Sequence, residues 1–238
     1  MTKRRFFRVL TKVHKWAGLI LATQILLWFL SGFVMTIFPI DQVRGRHMAS
    51  KAPMAFEAAP QINLTMLSRN YGPDLEKAEL RSIAGTPVYY LIGADGDQIV
   101  DARDGAKYVI TEPEIRKLAV HYYDGSGTVK ALNKLDEAPL DYRGETPVWQ
   151  AVFEDKQKTR LYLDATTGDL ISVRTRLWRV FDTMWAMHIM DYTERDRTSS
   201  WWLRLFASAG LLFTLTGLGL LLSSFGLVNV KPRSRTGE

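Results

Sequence analysis

The chain has 238 residues, 31 Lys and Arg against 25 Asp and Glu, a net charge of +6, and no cysteine. The missing cysteine excludes disulfides, thiolate catalysis, iron–sulfur clusters, Cys-based zinc sites and c-type haem attachment. No basic stretch interleaved with aromatic residues reads as a nucleic-acid surface, so the positive balance points to a membrane surface instead.

Residues 1–15 carry six cations, Lys3, Arg4, Arg5, Arg8, Lys12 and Lys15. Residues 16–40 then run without a charge, longer than the roughly 20 residues that cross about 30 Å of hydrocarbon. The run also exceeds the roughly 7–15 apolar residues of a signal peptide, and no A-x-A-like site follows, so it is expected to stay as an anchor. A second uncharged run, 205–230, forms with 201–204 the second expected transmembrane helix, ahead of a tail (231–238) bearing Lys231, Arg233 and Arg235. By the Lys/Arg bias both termini are expected in the cytoplasm, with the central segment outside and membrane lipid as a partner. Arg195, Arg197 and Arg204 oppose that bias, with Glu194 and Asp196 interleaved among them.

The central segment repeats itself. Thr86-Pro87-Val88 leads to Asp101-Ala102 and Gly105, as Thr146-Pro147-Val148 leads to Asp164-Ala165 and Gly168. Two anchors matching in order point to two copies of one unit, 41–110 and 111–173. Each copy reads as a hairpin, with strands expected at 88–92 and 98–101, then at 148–153 and 160–164. The closing Asp-x-x-x-Gly is turn chemistry: Asp bonds the backbone ahead of it and Gly accepts positive φ. A short helix is expected before each hairpin, at 64–69 and at 113–122, the second with Thr111 as N-cap and Glu114 at N3. Residues 123–143, rich in Gly, Asp and Pro, read as a loop.

Residues 174–192 read as an amphipathic helix lying at the membrane interface. At 100° per residue Leu177, Trp178, Val180, Phe181, Met184, Trp185, Met187 and Tyr192 fall in a half-circle centred on His188, with Arg176, Arg179, Asp182 and Thr183 opposite. A histidine at the middle of an apolar face needs partners for its ring nitrogens, and Asp191 is one candidate to orient it. On the first span His14 shares a stripe with Gly18, Leu21, Ile25, Trp28 and Gly32, and the second span carries Gly210, Gly217 and Ser224. Small residues of this kind admit a flat macrocycle or a neighbouring helix. His47 and His121 complete the histidines; His47 is a conceivable partner for His188, and His121 reads as structural or exposed.

The run Pro147-Val148-Trp149, then Arg160-Leu161-Tyr162-Leu163-Asp164-Ala165-Thr166-Thr167-Gly168, resembles the core of a PepSY domain. His14-Lys15-Trp16-Ala17-Gly18-Leu19, and His188 ahead of Leu215-Thr216-Gly217, resemble signatures of the PepSY-associated transmembrane family. The first copy departs from the pattern, with Ile99 where the second has Tyr162. The expected fold is therefore an α+β membrane protein of the bacterial inner membrane, two transmembrane helices flanking an extracytoplasmic domain of two PepSY-like helix–hairpin repeats. The resemblance implies a component of transmembrane electron transfer, associated with iron or siderophore reduction. Haem b is the expected cofactor, with His188 and His14 as iron ligands and Trp185, Tyr192 and Trp28 as wall residues.

The two histidines lie at opposite ends of the spans. Two haems would then need further ligands, from a homodimer or a redox partner in the membrane. No NAD or flavin motif, P-loop, G-x-S-x-G or H-E-x-x-H is present, so electrons would come from a partner protein or a quinol. The competing expectations are a non-catalytic PepSY module binding or regulating an extracytoplasmic peptidase, and an accessory subunit of a membrane complex.

Overall fold

In the computed structural model, residues 3–72, 75–94, 96–195, 198 and 200–225 are described. They divide into two compact units, Met1–Ile37 with Phe181–Glu238, and Phe38–Val180.

The first unit holds two long apolar helices, α1 (Lys3–Ile37) and α6 (Trp201–Ser224). Within them Thr11–Ile37 and Trp201–Leu222 are long and apolar enough to cross a membrane. Helix α1 stops at Ile37, short of the expected residue 40. The cause is Pro39, which disfavours helical backbone at the residue before it; a separate short helix, α2 (Ile40–Val43), follows. The end of the second apolar run, from residue 226, and the tail lie outside the described residues.

The second unit contains two antiparallel sheets, each preceded by a helix. Helix α3 (Leu64–Tyr71), capped by the Asn63 side chain, leads into β1 (Leu75–Ile83), β2 (Thr86–Gly93) and β3 (Gln98–Asp101). Helix α4 (Glu112–Tyr122) carries the capping box of Thr111 and Glu114 and leads into β4 (Thr128–Leu135), β5 (Val148–Glu154), β6 (Arg160–Asp164) and β7 (Leu170–Arg174). Strand order is β1-β2-β3 in one sheet and β4-β5-β6-β7 in the other. The hairpins share a register: Val88 faces Asp101 as Val148 faces Asp164. Both turns close alike, Gly105 N–H donating to the Asp101 carbonyl and Gly168 N–H to the Asp164 carbonyl.

The expected loop at 123–143 is wrong over part of its length, because β4 runs through it. Its pattern of exposure does not alternate, and its pairing with β5 shifts register between Val129 and Ala131. A bulged edge strand lacks the period of two by which strands are read.

One core joins both sheets. Helix α4 packs on β4, β5 and β6. Its Ile115 and Leu118 share a buried cluster with Ala151, Leu161 and Leu163 of the second sheet, and with Val88 and Ile99 of the first. Helix α3 covers the other face of the first sheet, placing Leu67 against Tyr89, Leu91 and Val100. Tyr162 is fully buried and satisfied: its hydroxyl donates to Asp141 at 2.7 Å and accepts from Gln150 Nε2 at 2.7 Å.

Candidate functional site

Both candidate histidines fall in the first unit, and each meets another helix. The sequence reason is a pairing of hydroxyl and glycine. On α6, Thr216 and Gly217 stand opposite His14; on α1, Ser31 and Gly32 stand opposite His188, which lies on α5 (Arg176–Ile189).

His14 Nδ1 lies 3.0 Å from Thr216 Oγ1. That hydroxyl sits 2.8 Å from the Phe213 carbonyl oxygen and spends its one proton there. The imidazole therefore donates through Nδ1–H, and its Nε2 keeps a lone pair. Phe213 stacks on the ring, centroids 4.1 Å apart and planes 7° apart, and its own edge rests on Gly18, where a Cβ would come within 3.0 Å. A Cβ on Gly217 would lie 3.1 Å from His14 Cε1 and 3.4 Å from Nε2. Any side chain there would cover the free nitrogen, so glycine is what keeps it open.

His188 repeats the arrangement at the other end of α1. Its Nδ1 lies 3.1 Å from Ser31 Oγ, and Ser31, fully buried, donates to the Leu27 carbonyl at 2.7 Å. Nδ1 is again the donor and Nε2 the lone pair. The Nδ1–Cε1 edge faces Gly32, so Nε2 points away from α1. Among the described residues no hydrogen bond ends at either Nε2.

Ser31 takes the role anticipated for Asp191. The Asp191 carboxylate instead accepts from Thr193 N–H, Thr193 Oγ1 and Glu194 N–H, closing the chain's exit from α5. Periodicity does not pick out the residues of α5 that the protein itself buries. These are Asp182, Ala186 and Ile189, while Val180 and Tyr192, placed by periodicity on the apolar side, are exposed. Asp182 is buried because Arg195 reaches it at 2.8 Å, a charge pair that periodicity cannot anticipate. Trp185 lends its indole N–H to the Arg195 carbonyl at 3.1 Å.

The two sites cannot share one ligand atom: seventeen residues of α1 between positions 14 and 31 span about 25 Å at 1.5 Å per residue. Between them, the Nε2 of Gln24 and the Nε1 of Trp28 are buried donors without a partner among the described residues. His47 is exposed, and His121 Nε2 lies 2.9 Å from the Ala52 carbonyl oxygen, a structural contact. No group of three His, Cys, Asp or Glu side chains fit to hold a metal ion occurs among the described residues. What the sites offer is one imidazole each, its Nδ1 facing a hydroxyl and its Nε2 without a hydrogen-bond partner among the described residues. Beside His14 lies a cavity of about 360 Å³, lined by Val13, Ala17, Ile20, Leu21, Leu212 and Phe213 among others. The donor set suits a haem iron to the extent of one imidazole per site, because an acceptor bonded to Nδ1 is what orients a metal-binding imidazole.

Sequence reasoning found both histidines and the Leu-Thr-Gly motif but not what joins them. Ser31 and Phe213 carried no signal, since a serine or phenylalanine in an apolar helix is unremarkable until its neighbour is known. No curated protein and no solved structure matches the chain. The family model described as PepSY-associated TM region matches residues 11–237. With two membrane-length helices and both histidine motifs inside that match, the chain is a membrane protein that belongs to the PepSY-associated TM region family.

Proposed function

We propose that this chain is a haem-b-binding component of transmembrane electron transfer, with His188 and His14 as the residues that would hold haem iron at two separate sites. The observation that carries the reading is the shared tautomer: both Nδ1–H groups donate to hydroxyls already committed to backbone carbonyls, which leaves both Nε2 lone pairs for iron. Haem would supply a one-electron carrier at each end of α1. The protein's part would be to orient each imidazole through its Nδ1 partner and to pack apolar side chains beside it. Any further iron ligand at each site would come from a second copy of the chain or a membrane partner.

In this reading both termini lie in the cytoplasm, and the two helix–hairpin units form PepSY-like repeats on the outer side of a bacterial inner membrane. Their matching hairpin registers support the repeat reading. Ferric iron or a siderophore complex outside the membrane would be the acceptor.

The test is an absorption spectrum of protein purified in detergent from haem-replete cells. A Soret band that falls in His188→Ala and in His14→Ala, with the fold retained, is the expected result. A folded, colourless protein would remove the redox reading and favour a module that binds or regulates an extracytoplasmic peptidase.

A further inference from the structure

The second unit holds a cavity of about 650 Å³ on the outer edge of its four-stranded sheet, lined by Arg44, Arg46, Ala49, Lys51 and by β7 from Leu170 to Arg174. Four of its nine lining residues are cationic and none is acidic. We infer that this cavity binds a small soluble anion carrying two or more carboxylate or phosphate groups.

The cations differ in how far they are committed. Arg174 already donates to the Asp141 and Val173 carbonyls and lies 4.2 Å from the Trp178 ring centroid, so it supplies field rather than a free fork. Arg46 pairs at 2.9 Å with Asp41, both side chains being solvent-exposed. Arg44 and Lys51 are exposed and have no ion pair or hydrogen bond of their side chains among the described residues. A guanidinium matches a carboxylate or phosphate in bidentate fashion, and an ammonium adds a point charge beside it. Strand β7 is an edge strand, and the edge of a sheet adds backbone N–H groups to such a concavity.

A small ligand suits the place better than a peptide strand. Strand β7 has only five residues, and its register against β6 slips between Tyr162 and Leu163, leaving Ile171 as a bulge. A bulged, short edge resists strand addition. The chain at Gly45 closes over it, since a Cβ there would come within 2.8 Å of Val173 Cγ1. The result is a pocket, with apolar side chains from Leu170, Ile171 and Val173 beside the charges.

The experiment uses the full chain in a maltoside detergent, with citrate and pyrophosphate as probes in isothermal calorimetry at fixed ionic strength. Saturable binding is expected, weakened at least tenfold in the double variant Arg44→Gln, Lys51→Gln and weakened further by added sodium chloride. Both residues are exposed, so that variant keeps its fold, which circular dichroism checks. The double variant Lys77→Gln, Lys134→Gln, at two exposed cations outside the cavity, serves as a charge-matched control and is expected to bind as the parent does. Binding that is absent, or equal in the double variant and the parent, overturns the proposal. Binding only to vesicles containing acidic phospholipid, or only to an acidic peptide, also overturns it and assigns the surface to that partner. None of these outcomes depends on whether haem is bound.

Discussion

His188 and Ser31, 157 positions apart in the chain, meet at 3.1 Å between Nδ1 and Oγ, and the serine proton is already held by the Leu27 carbonyl. That one commitment decides the tautomer of the histidine. Thr216 and Phe213 decide it for His14 in the same way. Removing either hydroxyl is therefore predicted to loosen the imidazole without deleting it. On the proposed haem reading, Ser31→Ala and Thr216→Val should each lower haem affinity at the corresponding site about 10–100-fold, the usual effect of losing the partner that orients a liganding imidazole. Titration with haem followed at the Soret band measures this, and unchanged affinity in both variants would detach the hydroxyls from the site.

Helix α1 and helix α6 meet through glycine. Gly18→Ala places a methyl within 3.0 Å of the Phe213 ring and is predicted to destabilise the helix pair by about 1–3 kcal/mol, the range for overpacking. Phe213→Leu in the same chain should recover part of that loss, since the clash is with the ring itself. Thermal unfolding in detergent of the two single variants and the double variant gives the coupling. Strict additivity would mean that the two side chains do not meet.

Gly168 and Gly96 both adopt left-handed backbone, with φ of +73° and +97°. They differ in their surroundings. A Cβ on Gly168 would overlap the Leu118 and Ile110 side chains, whereas one on Gly96 meets nothing within 4 Å. Gly96→Ala should cost about 1–2 kcal/mol, from the backbone alone. Gly168→Ala adds overpacking and should cost at least about 1 kcal/mol more. Equal losses in urea unfolding would refute the packing argument.

Two tyrosines set an alkaline limit on the second unit. Burial, with the hydrogen bond to Asp155, pushes Tyr123 up to about 12; burial and the Asp141 bond push Tyr162 up to about 12. Their folded values lie above the ordinary one near 10, so their contribution to stability is complete below about pH 10 and is lost as pH rises towards 12. Absorbance of tyrosinate should show ionisation delayed until the fold opens, and Tyr162→Phe should shrink that late component.

Acid acts with the opposite sign. Arg103, bonded to Asp101, holds the Asp101 carboxyl below its usual value, so that contribution is present at neutral pH and lost as pH falls through the lowered value. Arg103→Gln should move the onset of acid unfolding to higher pH, as followed by circular dichroism.

Several features were legible in the sequence because they are local. The uncharged runs give α1 and α6 by length alone; Thr111 with Glu114 announces the start of α4; the Asp-x-x-x-Gly turns mark where β3 and β6 end. Strands β1, β4 and β7 were not legible. Their place depends on a neighbour's hydrogen bonds, and all three pairings contain a register shift that erases strict alternation.

By itself the sequence singled out His14 and His188 as the imidazoles in need of a partner, because a histidine in or beside an uncharged run is costly enough to need a reason. It also placed Gly18 and Gly32 on the stripe of His14, whereas Gly32 in the structure faces His188. Only the tertiary structure decided what each imidazole faces. Thr216 is 202 positions from His14, and no periodicity connects them. It also decided the buried face of α5, where Asp182 turns inward because Arg195 comes back to meet it. A ring nitrogen's state is set by the proton of its partner's hydroxyl, and which hydroxyl arrives is a property of the packed helices.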